Sequence, residues 1–226
     1  MNKIIKCLLL TLLVFGATVS AHATLIDFKL MGEPFGSHGE SVWSTLSNAE
    51  VDFTWGVIGR NGVNPAFAYL DASNAGLGVC KAALNAGDID KKFPGSGANR
   101  CLDSSDDNVT TNEFLRFGFS KNVVIDRIWF NTNHDPDFSL DTDEIKIGGV
   151  DYTFNNLDRD AARQNDFFTT TPFSVNANTS FLIGFVNEQF YISAMSVRAV
   201  PEPATFALLG LGLLGLGIAK KRLTNR

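Results

Sequence analysis

Asn112-Glu113-Phe114-Leu115-Arg116-Phe117-Gly118-Phe119 is the stretch whose reading decides the fold. Leu115, Phe117 and Phe119 fall on one side of an extended chain, and Arg116 and Gly118 on the other. That period of two belongs to a strand with one face in a core and one in water. Outward from it, further short segments repeat the pattern: 25–30, 51–58, 123–130, 144–147, 151–154, 181–186 and 190–197. Val124, Ile128 and Phe130 read as one face around Asp126, and Phe190, Ile192 and Ala194 oppose Tyr191, Ser193 and Met195. Clusters of Gly, Asn, Asp and Pro separate these segments, and only 158–166 suggests a short helix. Short strands at close intervals predict an all-β fold, an antiparallel β-sandwich of jelly-roll-like kind. A Phe-rich composition, 19 residues against three Tyr and three Trp, leans the same way.

The ends have a different character. Residues 1–6 carry Lys3 and Lys6, residues 7–19 are apolar, and Ala21-His22-Ala23 sets small residues where a signal peptidase cuts. Cleavage is expected between Ala23 and Thr24. Cys7 stands at the start of the apolar run instead of closing it, so it is not placed as a lipoprotein cysteine. At the other end Val200-Pro201-Glu202-Pro203 leads into an uncharged Leu/Gly/Ala stretch at 204–219, closed by Lys220-Lys221-Arg222. As a helix that stretch spans about 24 Å, slightly less than a bilayer core of about 30 Å. It therefore reads as a weakly held C-terminal transmembrane helix, with its basic finish on the cytoplasmic side. Three segments follow: a signal peptide at 1–23, a sandwich body at 24–198 and an anchor segment at 199–226. Gly210-Leu211-Gly212-Leu213-Leu214-Gly215 matches a dinucleotide-binding glycine pattern, but it lacks the preceding strand and the later acidic residue that make the pattern meaningful.

The Pro-Glu-Pro triplet, the Leu/Gly-rich helix and the basic finish, in that order, resemble the PEP-CTERM sorting signal of Gram-negative bacteria. The resemblance implies that Pro201, Glu202 and Pro203 are recognised by an exosortase. It implies transient anchoring in the inner membrane, then release or transfer to the cell surface or an extracellular matrix, often in species that build exopolysaccharide and biofilm. Gly76-Leu77-Gly78-Val79, Asn112-Glu113-Phe114-Leu115-Arg116-Phe117 and Val123-Val124-Ile125 also resemble the globular domains found on this tail. That likeness supports the sandwich and implies no activity.

The formal net charge of −5 hides a more acidic body. Without the basic residues of the two ends and Glu202, residues 24–199 hold 13 basic and 23 acidic side chains, a net of −10. Such a surface repels nucleic acid, so no nucleic-acid partner is expected; divalent cations or neutral polymers suit it better. Cys80 and Cys101 remain after the leader is removed, and an even pair in an exported chain reads as a disulfide worth roughly 3 kcal/mol. The alternative, two separate buried thiols, sits less well with the Gly, Asn and Lys residues around them.

Two acidic clusters are candidates for chemistry. One is Asp103, Asp106 and Asp107 with Asn112 and Glu113; the other is His134-Asp135-Pro136-Asp137 with Asp141, Asp143 and Glu144. Neither has EF-hand spacing. Each is either a set of solvated turns or a structural calcium site, and the ligand set singled out is Asp107, Asn112 and Glu113. Enzymatic motifs are weak: the body has His38 and His134, with Ser37 in no nucleophile-elbow pattern. The expectation is a non-catalytic exported protein with a structural or adhesive role. A carbohydrate-binding module for exopolysaccharide is the alternative, with Trp43 as the exposed aromatic and Trp55 and Trp129 in the core. A secreted glycosidase, which needs only two carboxylates, is the third reading.

Overall fold

The alternation along residues 113–119 becomes a strand in the computed structural model, with Glu113, Leu115, Phe117 and Phe119 buried and Arg116 exposed. The structure describes residues 22–201, apart from 34, 73, 84, 94–100, 102–107, 132–138 and 164–165. In chain order the strands are β1 (Thr24–Asp27), β2 (Ser41–Trp43), β3 (Leu46–Ala49), β4 (Thr54–Asn61), β5 (Asn64–Pro65), β6 (Phe67–Asp71), β7 (Gly76–Cys80) and β8 (Glu113–Phe119). They continue as β9 (Val123–Asn131), β10 (Glu144–Ile147), β11 (Val150–Thr153), β12 (Asp158–Asp160), β13 (Asp166–Phe168), β14 (Phe173–Val175), β15 (Ser180–Phe185) and β16 (Tyr191–Ala199). A one-turn helix, α1 (Phe28–Gly32), follows β1.

These strands form two antiparallel sheets, an all-β sandwich as the sequence predicts. The first runs β12-β13-β9-β16-β7-β6-β2, with β1 also on β16 and β14 also on β9; the second runs β11-β10-β15-β8-β4-β3, with β5 also on β4. The consecutive strands β8 and β9 lie in opposite sheets, as do β15 and β16. β8 pairs with β15 and β9 with β16. Two ribbons wound against each other across both sheets are the crossover of jelly-roll winding. Residues 22–199 form one unit by their contacts.

Phenylalanine fills the space between the sheets. Phe130 meets Phe190 and Phe154 meets Phe167 edge-on at 5.4 Å, and Phe28 meets Trp55 at 5.7 Å. Each fully buried ring contributes about 1.5–3 kcal/mol, which explains the heavy use of this residue. β4 and β6 approach so closely that a Cβ on Gly59 would lie 2.2 Å from the carbonyl oxygen of Phe67. Gly76 serves a similar contact, with φ at +122° and only 2.6 Å from its would-be Cβ to the carbonyl oxygen of Ile192.

Several sequence expectations are corrected. The segment 25–30 is not one strand: Asp27 ends β1 and accepts the backbone N–H of Leu30 at 3.1 Å, capping α1. Phe154 leaves β11 for a 3-10 turn (Phe154–Asn156). The segment 158–166 is not described as one helix: Asp158–Asp160 is a strand, Ala161–Arg163 a 3-10 turn, and a further strand starts at Asp166. In β9 the buried face starts with Val123 and Ile125, not Val124, and continues with Ile128 and Phe130. The register explains the change: Ser196 faces Arg127 but Val197 faces Ile125, so Asp126 is an extra, bulged residue. Ser193 is the matching bulge on β16, between Ile192 and Ala194.

Candidate functional site

The two processing points predicted at the chain ends leave the fold side by side. Thr24 opens β1 and pairs with Val197; Ala199 closes β16, and Val200 and Pro201 follow as exposed residues. Ala23 is exposed immediately before β1. Glu202, Pro203 and the helix predicted over 204–219 lie outside the described residues, as does the leader up to residue 21. Among the described residues no helix is long and apolar enough to cross a membrane.

Cys80 and Cys101 are joined by a disulfide with Cα atoms 5.6 Å apart, closing a loop with a sequence separation of 21. Both residues are buried beside Val42 and Tyr69. The bond ties the end of β7 to the approach to β8.

Of the calcium set, Asp107 lies outside the described residues, and the other two side chains separate. Asn112 is exposed at φ 67°, its carbonyl accepting Gly62 N–H at 2.7 Å. Glu113 is 2% exposed. Its Oε2 accepts the backbone N–H and the hydroxyl of Thr110 at 2.8 and 2.9 Å, and Lys81 stands 3.4 Å from Oε1. The Glu113 carboxylate therefore caps a turn. Residues 134, 135 and 137 of the second cluster are also outside the described residues; Asp143 takes the N–H of Ser139, and Asp141 is exposed. No group of three or more metal-ligating His, Cys, Asp or Glu side chains occurs among the described residues.

Trp55 and Trp129 are buried, with indole N–H groups donated to Glu50 and Asp160 at 3.0 and 2.9 Å. Trp43 is half-buried: its ring packs against the core, its N–H reaches Ser41 Oγ at 2.6 Å, and the His38 ring stands perpendicular at 5.3 Å. Burial, and secondarily the charge of Lys92, hold the His38 pKa below its ordinary value. Ser37 beside it is exposed and accepts Lys92 only through its backbone carbonyl.

One charged cluster was not legible from sequence. Lys29 Nζ and Asp166 Oδ1 are 2.7 Å apart with side chains 9% and 2% exposed. Ser193 Oγ donates to the other oxygen of Asp166 at 2.7 Å, and Arg163 bridges Asp27 at 2.8 Å and Asp166 at 3.7 Å. The cluster joins α1, β13 and β16, with Lys29 and Asp166 alone 137 residues apart, so no local spacing could announce it. Asp166 is fully engaged by these partners, and the arrangement is a clamp.

No curated relative and no solved structure matches this chain. A match does occur where the fold ends. Residues 199–222, beginning on the last residue of β16, fit the family model for the PEP-CTERM protein-sorting motif. The chain therefore carries a PEP-CTERM sorting domain and has the tail of an exosortase substrate, an exported and membrane-associated protein that an exosortase processes.

Proposed function

We propose that this is a non-catalytic protein that a Gram-negative cell exports by the signal peptide at 1–23, holds briefly in its inner membrane, and delivers to its surface or matrix. There the sandwich has a structural or adhesive role. The observation that carries the reading is the sorting motif itself, which starts on the final residue of β16, so that the whole sandwich precedes it in the chain. The disulfide suits an oxidising destination.

The test is the intact mass of the protein recovered from its host. The expected mass runs from Thr24 to a C-terminus within residues 201–203, lighter by the two hydrogens lost to the disulfide. Extra mass at that end would identify an attached anchor. A surface form that still holds residues 204–226 would overturn processing and leave a plain membrane-anchored protein.

A further inference from the structure

Two clefts meet at the turn formed by residues 176–180. The first, of about 450 Å³, crosses the outer face of the second sheet. Its floor is a transverse row in which Gly56 faces Gly118 and Gly118 faces Ser180. A Cβ on Gly118 would meet nothing within 4 Å, so the floor is open backbone there, while at Gly56 the side chains of Thr45 and Ser47 come within 3.7 Å of where a Cβ would lie. Ile58 and Arg116, paired on the next rung, wall one side, and Thr54 and Ser120 the other. The second cleft, of about 580 Å³, opens between the Gly148-Gly149 turn, β14 and the start of β15. Two half-buried rings stand in it, Tyr152 and Phe173, with centroids 6.1 Å apart and planes at 76°. The Tyr152 hydroxyl has no hydrogen-bond partner among the described residues. Tyr152 pairs with the core residue Ile145 and so lies on the inner face of the sheet, whereas Gly118 lies on its outer face; Thr179 and Ser180, which line both clefts, form the turn between them.

The chemistry of this surface differs from that of the body around it. On a body of net charge −10, neither lining contains a carboxylate among the described residues, and Arg116 is the only charged side chain. Without carboxylates there is nothing to hold a divalent cation. The acidic surroundings repel polyanions. In the first cleft a protein partner would find no central apolar anchor and an added peptide strand no free sheet edge, because the floor is backbone in the interior strands β4 and β8. A narrow strip edged by hydroxyls, with two aromatic rings beyond the turn at its end, suits a chain of uncharged, hydroxyl-bearing sugar rings whose C–H faces pack on aromatics.

We propose that the two clefts together bind a neutral polysaccharide, laid across β4, β8 and β15 and passing round the 176–180 turn to Tyr152 and Phe173. This site gives the adhesive role proposed above its partner class, and its chemistry does not depend on sorting or processing.

The test is affinity electrophoresis of the full chain through gels holding neutral glucans, xylan or galactomannan, with alginate as the anionic comparison. Gly118 has an ordinary strand conformation with open space above it, so Gly118→Val fills the floor without strain. Tyr152→Ala removes a ring, and Trp43→Ala, at a residue that lines neither cleft, serves as a control. We expect at least one neutral polymer to retard the protein, binding in Gly118→Val and Tyr152→Ala to be roughly tenfold weaker, and Trp43→Ala to bind as the parent does. Retardation by no neutral polymer, or by alginate alone, overturns the proposal. So does retardation that survives both cleft substitutions, or that only Trp43→Ala removes. None of these outcomes bears on the C-terminal mass, so failure of the site and failure of the sorting reading are told apart.

Discussion

Lys29 and Asp166 form an ion pair 2.7 Å long across 137 residues of sequence, with less than a tenth of either side chain in contact with solvent. Such a pair contributes little relative to apolar residues of the same shape, but breaking it strands a charge. Lys29→Met leaves Asp166 with Ser193 and a more distant Arg163. We expect a loss of about 3 kcal/mol, read as a lower urea midpoint with unchanged slope.

Gly59→Ala and Gly118→Ala make a paired test of how the strands approach. The first puts a Cβ 2.2 Å from the Phe67 carbonyl oxygen, and the second puts one in open space. Thermal unfolding should show Gly59→Ala destabilised by about 3 kcal/mol or more. Gly118→Ala should be neutral or stabilised by up to about 1 kcal/mol, since glycine within a strand loses more entropy on folding.

His38 gives the fold a dependence on pH. Its folded pKa lies below the ordinary value of 6.5, chiefly through burial and then through Lys92, so the folded state disfavours the protonated ring. The corresponding stability is fully present above 6.5 and is lost as pH falls below 6.5 through the folded pKa. The melting temperature should drop more steeply between pH 7 and pH 5 in the parent than in His38→Gln. Equal slopes would show that the ring does not contribute.

The disulfide should matter most to the unfolded chain. Cys80→Ser with Cys101→Ser is expected to cost about 3 kcal/mol in chemical denaturation, and reductant should lower the parent's midpoint while leaving the double variant's unchanged.

The strands legible in the sequence are those with one wet and one dry face. β8 shows this best, because Arg116 and Gly118 interrupt its apolar residues, and β10 was predicted with the boundaries it has. β7 is buried throughout and therefore carries no alternation to detect. β12, β13 and β14 have three residues each, too few to establish a period. Bulges shift the phase of an otherwise regular pattern, which is why Val124 was assigned to the wrong side of β9. The sorting motif was legible because it is contiguous. The Lys29–Asp166 clamp and the neutral clefts were not, because each is assembled from strands distant in sequence.

The placement of the tail on β16 has a mechanical consequence. β16 is an interior strand, paired with β9 along its whole length and with β1 along residues 194–197. Tension carried by the membrane-associated tail enters the sandwich at the end of β16, and its component along that strand loads β16 in shear against β9 and β1. The ladder hydrogen bonds then share the load together instead of parting one at a time, and the lifetime of the moored protein is set by the rate at which that whole ladder yields.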